Sequence, residues 1–198
     1  MFGKLAATVG DAVGTGQGDN CHILDPNEFA KETLLLSYVL PEEKVYVLLK
    51  SPREEYIFTD RAFISVKGDS SIGTKKVVQR FEFNEHRVAS VRLQTPGYSG
   101  TDLDGELYFR LGGYEISIDI RKPEWENVKT IYKTLIRLAE KQTRDATSLK
   151  FFQETIAKAW LQTADGKALK ELAFSTSAEA YDRFLPISYR DIWELHGK

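Results

Sequence analysis

The sequence predicts a mainly β protein with added helix: seven strands in a strongly bent antiparallel sheet or partly open barrel, capped by a C-terminal helix and extended by a helical hairpin. Three observations predict it. Two alternating runs, Glu106–Leu111 and Tyr114–Ile120, flank Gly112-Gly113. One long amphipathic helical pattern follows them, and five further short strand patterns precede them, joined mostly by tight turns.

Taken from the start, residues 2–13 put Phe2, Leu5, Ala6, Val9 and Val13 on one narrow helical stripe, with Lys4, Thr8 and Asp11 facing away. Gly3, Gly10 and Gly14 each weaken such a helix by about 1 kcal/mol, so residues 1–24 read as an amphipathic arm and linker. Gly14-Thr-Gly-Gln-Gly-Asp-Asn20 lacks the preceding strand, the following helix and the Lys-Ser or Lys-Thr of a phosphate loop, and reads as linker. Cys21-His22 is a metal-capable pair without a second pair, which argues against zinc. Asp25-Pro26-Asn27-Glu28 is a helix start: Asp25 caps, Pro26 fits the first turn and Glu28 follows three residues later. That helix is expected to run to about Val39 and stop at Pro41.

Strands are expected at Lys44–Lys50, Glu54–Thr59, Ala62–Lys67, Lys76–Phe83 and Val88–Thr95. In the hairpin, Leu107, Phe109 and Leu111 alternate with polar neighbours, and so do Ile116, Ile118 and Ile120. Gly112-Gly113 suits a two-residue turn, because such turns need a positive φ that glycine adopts cheaply. Trp125, Val128, Ile131, Tyr132, Leu135, Leu138 and Ala139 then repeat at helical spacing, a stripe that must lie on the apolar face of a sheet. Residues 25–142 therefore form the domain. Residues 143–198 read as a helical hairpin broken at Ala164-Asp-Gly166, with a hydrophobic turn at Tyr181–Pro186 and a last short helix burying Ile192 and Trp193. The hairpin carries more apolar surface than one contact would use, so it is expected to pack on the domain or on a neighbouring copy.

Bulk properties narrow the function. With 27 basic against 29 acidic residues, no segment has the positive excess that binding a phosphate backbone requires, which disfavours nucleic acid. The single cysteine, Cys21, excludes an internal disulfide. The first residues lack a signal-peptide pattern, and Leu34–Leu40, the longest apolar stretch, is far too short to span a bilayer. A cytoplasmic protein is expected.

Leu40-Pro-Glu-Glu-Lys-Val45, Arg53-Glu-Glu-Tyr-Ile-Phe-Thr-Asp-Arg-Ala-Phe-Ile-Ser-Val66 and Leu103-Asp-Gly-Glu-Leu-Tyr-Phe109 carry a resemblance over about residues 26–142. The chain resembles the bacterial branch of the pleckstrin-homology (PH) domains. The most specific piece is Phe58-Thr-Asp-Arg61, where the family usually shows a Phe-Thr-Asn-Lys-Arg kind of turn; Asp60 and a missing basic residue are departures. The resemblance implies a non-enzymatic module that assembles into a cyclic homo-oligomeric ring and binds another protein on a polar face. It supplies no catalytic residue.

The expected interaction residues are the polar strand and turn positions Arg53, Glu55, Asp60, Arg61 and Arg92. The alternative reading is a membrane-surface adaptor holding acidic lipid head groups with Lys50, Arg53, Lys75, Lys76 and Arg80, although Glu54 and Glu55 offset that positive field. Asp102, Asp104 and Glu106 lack the remaining ligands of a calcium loop, and turn chemistry explains them. His22, His86 and His196 fall in a linker, a turn and the C-terminus, and His86 reads as an exposed loop residue without a nucleophile beside it. No cofactor, metal or catalytic residue is expected, and an enzyme of unknown class is the third reading.

Overall fold

The computed structural model describes residues 20–32, 36–68, 75–95, 104–162 and 166–196. The amphipathic stripe over residues 2–13, the Gly14–Asp19 stretch, Leu34, Leu35, the loop at 69–74, Asp102 and the hairpin break at 163–165 lie outside the described residues. The seven expected strands are present with ends shifted by two residues or fewer, and a short eighth precedes them: β1 (His22–Ile23), β2 (Val45–Lys50), β3 (Glu54–Thr59), β4 (Ala62–Gly68), β5 (Lys76–Glu82), β6 (Val88–Gln94), β7 (Asp104–Leu111) and β8 (Tyr114–Arg121). They form two antiparallel sheets, β1-β2-β3-β4-β5 and β6-β7-β8. The sheets meet where Cys21 bridges Ile120: the Cys21 amide donates to the Asp119 carbonyl at 2.8 Å and the Arg121 amide to the Cys21 carbonyl at 3.1 Å. At the other seam β5 and β6 do not pair, so the barrel is partly open. Residues 21–23, read from the sequence as linker, therefore join the two sheets.

Leu111 pairs with Tyr114 across Gly112-Gly113, and Gly112 takes φ 59° as the tight turn requires. The β6 strand is less regular than its sequence implies. A bulge between Ala89 and Arg92 puts Ser90 at φ 52°, where its hydroxyl accepts from Arg110 Nη2 at 2.9 Å.

The helix expected from Asp25 to Val39 opens as a 3-10 helix, Pro26–Lys31, and Leu36 is helical; residues 33–35 of that expectation lie outside the described residues. Asp25 caps it as expected, accepting from the Asn27 amide at 2.8 Å, but Glu32 leaves helical geometry and its carboxylate reaches Lys50 Nζ at 2.6 Å. Tertiary packing explains the difference. Phe29, Tyr38 and Val39 cover Leu48, Ile57, Ala62, Ile64 and Val66 on the outer face of the five-stranded sheet. With that lid in place β3 and β4 are buried on both faces, which is why Tyr56-Ile57-Phe58 and Phe63-Ile64 are continuous apolar runs.

After a 3-10 turn at Lys122–Glu124, helix α1 runs unbroken over Trp125–Gln162, a length of about 57 Å at 1.5 Å per residue. The expected domain edge at Gln142 lies inside it. Val128, Ile131, Leu135 and Leu138 enter the core between the sheets, beside Phe58, Phe63, Phe81 and Phe109. Gln142 also belongs to the domain: its Nε2 donates to the Phe83 carbonyl at 2.5 Å and its Oε1 accepts from the Val88 amide at 2.8 Å, tying α1 to the β5–β6 turn. Beyond Asp145, α1 carries no fully buried side chain among those described. Helix α2 (Gly166–Phe184) packs against α1, with Gln153 Nε2 3.1 Å from the Tyr181 hydroxyl, and Tyr181 and Phe184 belong to this helix and not to a turn. Helix α3 (Arg190–His196) then returns to the domain and buries Trp193.

Candidate functional site

The turn between β3 and β4 is held by its own threonine. The Thr59 hydroxyl accepts from the amides of Arg61 at 3.0 Å and Ala62 at 2.8 Å and donates to the Ala62 carbonyl at 3.2 Å. Asp60 is thereby presented to the C-terminal segment. Its carbonyl accepts from the Tyr189 amide at 2.7 Å, Oδ1 accepts from the Lys44 amide at 2.8 Å, and Oδ2 accepts from the Ser188 hydroxyl at 2.6 Å and Arg190 Nη2 at 3.2 Å. Burial acts to raise the Asp60 pKa; the Ser188 and Lys44 hydrogen bonds and the Arg190 charge outweigh it and hold the carboxyl below its ordinary value. Asp60 is thus a charged, fully satisfied acceptor, which suits anchoring and not proton abstraction.

Beside this anchor, Trp193 stacks on Tyr46 with ring centroids 5.4 Å apart and tilts against Phe58 at 5.8 Å, while Tyr189 meets Phe83 edge-on at 6.5 Å. The rim is polar: Glu194 Oε1 lies 3.0 Å from Lys44 Nζ and 3.3 Å from the Tyr46 hydroxyl. Trp193 also walls a groove of about 410 Å³ between β1, β2 and α1, shared with Ile23, Asp25, Asn127, Ile131 and Thr134.

The groups with catalytic chemistry are placed differently. Cys21 is buried, and its thiol is pushed up to about 12, first by burial and then by the Glu54 charge, so it stays protonated at neutral pH. His86 is half-buried and not exposed as expected: its ring lies edge-on to Phe81 at 5.5 Å, against Tyr114, and packs under the Gly112 turn. Among the described residues no three His, Cys, Asp or Glu stand together to hold a metal ion, and no helix is long and apolar enough to cross a membrane.

A profile of the bacterial PH domain matches residues 14–139. The chain belongs to the bacterial PH domain family. It is 38% identical over 142 residues to the uncharacterised protein YvbH of Bacillus subtilis, an alignment covering 71% of this chain and 66%, just under two thirds, of that protein. The crystal structure of a PH-domain-containing protein from Exiguobacterium sibiricum superposes with a TM-score of 0.82 at 28% identity, covering 91% of this chain and all of the other. A DUF1696 family protein from Shewanella loihica with a pleckstrin-homology domain reaches a TM-score of 0.45 at 17% identity over 62% of this chain and 99% of its own. The likeness to the Exiguobacterium protein thus extends through most of the helical extension as well as the PH domain.

Within this PH domain the expected interaction residues do not share one surface. Arg53 and Arg92 are exposed, and the Arg92 guanidinium lies 4.0 Å over the Tyr108 ring. Arg61 is half-buried. Glu55 is nearly buried and paired with Lys76 at 3.0 Å, and Asp60 is fully buried beneath the C-terminal segment, so neither is an open polar surface position. The lipid set is similarly engaged. Lys50 pairs with Glu32, Lys76 with Glu55, and Arg80 with Glu82 at 2.5 Å and with the buried Glu43. Lys75 and Arg53 are exposed, which says nothing of their partners. Sequence reading placed Trp193 on a buried helix face but gave no sign of Asp60 as its anchor, because the pair is separated by more than a hundred residues.

Proposed function

We propose that this PH domain is a non-enzymatic binding and scaffold module that self-associates through its open seam into a closed homo-oligomer and presents Arg53 and Arg92 to another protein. The observation that carries the reading is the free edge at β5. Val77 and Val78 are 50% and 39% exposed there. Adjacent strand residues point to opposite faces, so each face of this edge strand carries one exposed valine, and among the described residues no strand pairs with its outer edge. The β6 edge, which no second strand covers among the described residues and where only the Val88 amide is taken, by Gln142, is the complementary element, and joining β5 of one copy to β6 of the next, head to tail around an axis, covers both edges of the open seam. A PH fold supports binding in general, and the polar groups described above are committed to structure. Light scattering of the full chain tests the proposal: the native protein is expected at several times its 22.5 kDa protomer mass, and Val77→Lys with Val78→Glu near one protomer. A native chain that stays monomeric up to millimolar concentration overturns it.

A further inference from the structure

The groove of about 410 Å³ between β1, β2 and α1 combines aromatic surface with bare oxygen atoms. Tyr46 and Trp193, stacked at 5.4 Å, supply the rings, and Ile131 of α1 adds aliphatic surface. The oxygens come from Asp25, Asn127 and Thr130. Asn127 and Thr130 stand three residues apart on α1 and so share a face of the helix. Asp25 Oδ1 accepts from the Asn27 amide at 2.8 Å, and Asn127 Nδ2 lies 3.4 Å from Glu124 Oε2. Asp25 Oδ2, Asn127 Oδ1 and the Thr130 hydroxyl have no partner among the described residues.

Asp25 is also the one charged residue among the described groove residues, and no Lys, Arg or His joins it. Lys44, the cation 5.0 Å over the Tyr46 ring, is already paired with Glu194 at 3.0 Å. A carboxylate with two further acceptors repels an anion and matches a primary ammonium, which carries three donors and no acceptor. Aromatic rings favour a cation as well. The volume is at the lower end of ligand pockets, which run from about 300 to 1,000 Å³, and suits one ring with a short arm. We propose that this groove binds a primary aryl-alkyl amine, with its ring on Tyr46, Trp193 and Ile131 and its ammonium on Asp25, Asn127 and Thr130. The groove is apart from the β5 and β6 edges, so the inference does not rest on self-association. Since Trp193 is both a wall of the groove and the buried anchor of α3, a bound amine also holds α3 against the domain.

NMR titration of the full-length, nitrogen-15-labelled protein tests this with 2-phenylethylamine, 2-phenylethanol and 3-phenylpropionate, a cation, a neutral molecule and an anion of similar shape. The Trp193 indole resonance is assigned by its loss in Trp193→Phe. The amine is expected to shift it saturably with a Kd on the order of 1 mM, ordinary for a ligand of about nine non-hydrogen atoms. It is expected to bind about fivefold more tightly than the alcohol, the size of a contact ion pair in water, and the anion more weakly than either. Asp25→Asn keeps a residue that caps the 3-10 helix equally well and should bring the amine down to the alcohol. At ten times the Kd, hydrogen exchange of the α3 amides should slow about tenfold. No saturable shift with the amine overturns the site. An alcohol or anion that binds as tightly as the amine, or an amine unaffected by Asp25→Asn, overturns the assignment of the ammonium to Asp25. Saturable binding with unchanged α3 exchange overturns the shared wall.

Discussion

Replacing Trp193 with alanine is the most direct probe of how far the C-terminal segment belongs to the domain. The side chain is fully buried, and an aromatic residue of this kind withdraws roughly 150–250 Å² from water. At about 25 cal/mol per Å² that burial is worth about 4–6 kcal/mol. Truncating buried phenylalanine or tryptophan to alanine costs about 3–5 kcal/mol, because the site relaxes only in part. The stack on Tyr46 accounts for about 0.5–1.5 kcal/mol of such a loss. For a chain of this length about 2–4 °C of melting temperature accompanies each kcal/mol, so Trp193→Ala is expected to melt about 6–20 °C below the wild type. Differential scanning calorimetry at one protein concentration measures it, and Trp193→Phe, which keeps a ring over Tyr46, is expected to recover part of the loss. A shift below about 3 °C, less than half the smallest expected value, would refute the packing argument on that scale.

Three further outcomes follow from the geometry. Gln142→Ala leaves the Phe83 carbonyl and the Val88 amide without their partner, each worth roughly 1–3 kcal/mol when buried, and should lower the urea midpoint and the hydrogen-exchange protection of the Val88 amide; unchanged protection would contradict it. Gly105→Ala would set a Cβ 2.2 Å from Trp125 Cζ3 and 2.9 Å from the Gln94 carbonyl oxygen, so it is expected to cost about 1–3 kcal/mol by displacing the start of α1, read as a lower melting temperature. Asp60 titrates below its unfolded value of about 3.9, so the stability it supplies is complete above that pH and fades as the pH falls through the lower folded value. Carbon-13 NMR of the Asp60 carboxyl should show the depressed midpoint, and Arg190→Ala should raise it; a midpoint unmoved by Arg190→Ala would remove that charge from the account.

How much could be read from the chain varies by element. The strands from β2 to β8 were legible because each is a short run, alternating as in β7 and β8 or continuously apolar as in β3 and β4, bounded by turn chemistry such as Ser51-Pro52-Arg53 and Gly112-Gly113. The stripe of α1 was legible for the same reason at helical period. After Asp25 the sequence showed a helix start and not its type: Asp25 caps as the pattern implies, but the first turns are 3-10 and Glu32 leaves helical geometry to reach Lys50. The domain edge expected at Gln142 falls inside a helix because nothing local ends the helix there: the domain's surface stops while the hydrogen-bond ladder of α1 continues. Candidate site residues were the least legible. Asp60, Glu55, Lys76 and Arg80 look like solvated charges, and each turns out to have a partner distant in sequence.

The amino-acid sequence by itself determined the strand set, the tight turns and the apolar stripe of α1, because these depend on neighbours within a turn or a strand of one another. Tertiary structure alone decided that Cys21 joins the two sheets, that Phe29, Tyr38 and Val39 roof the outer sheet face, and that Trp193 returns to lie on Tyr46 beside Asp60. Those contacts join positions up to 147 residues apart, and no local periodicity records which distant side chain will complete a cavity or satisfy a buried charge.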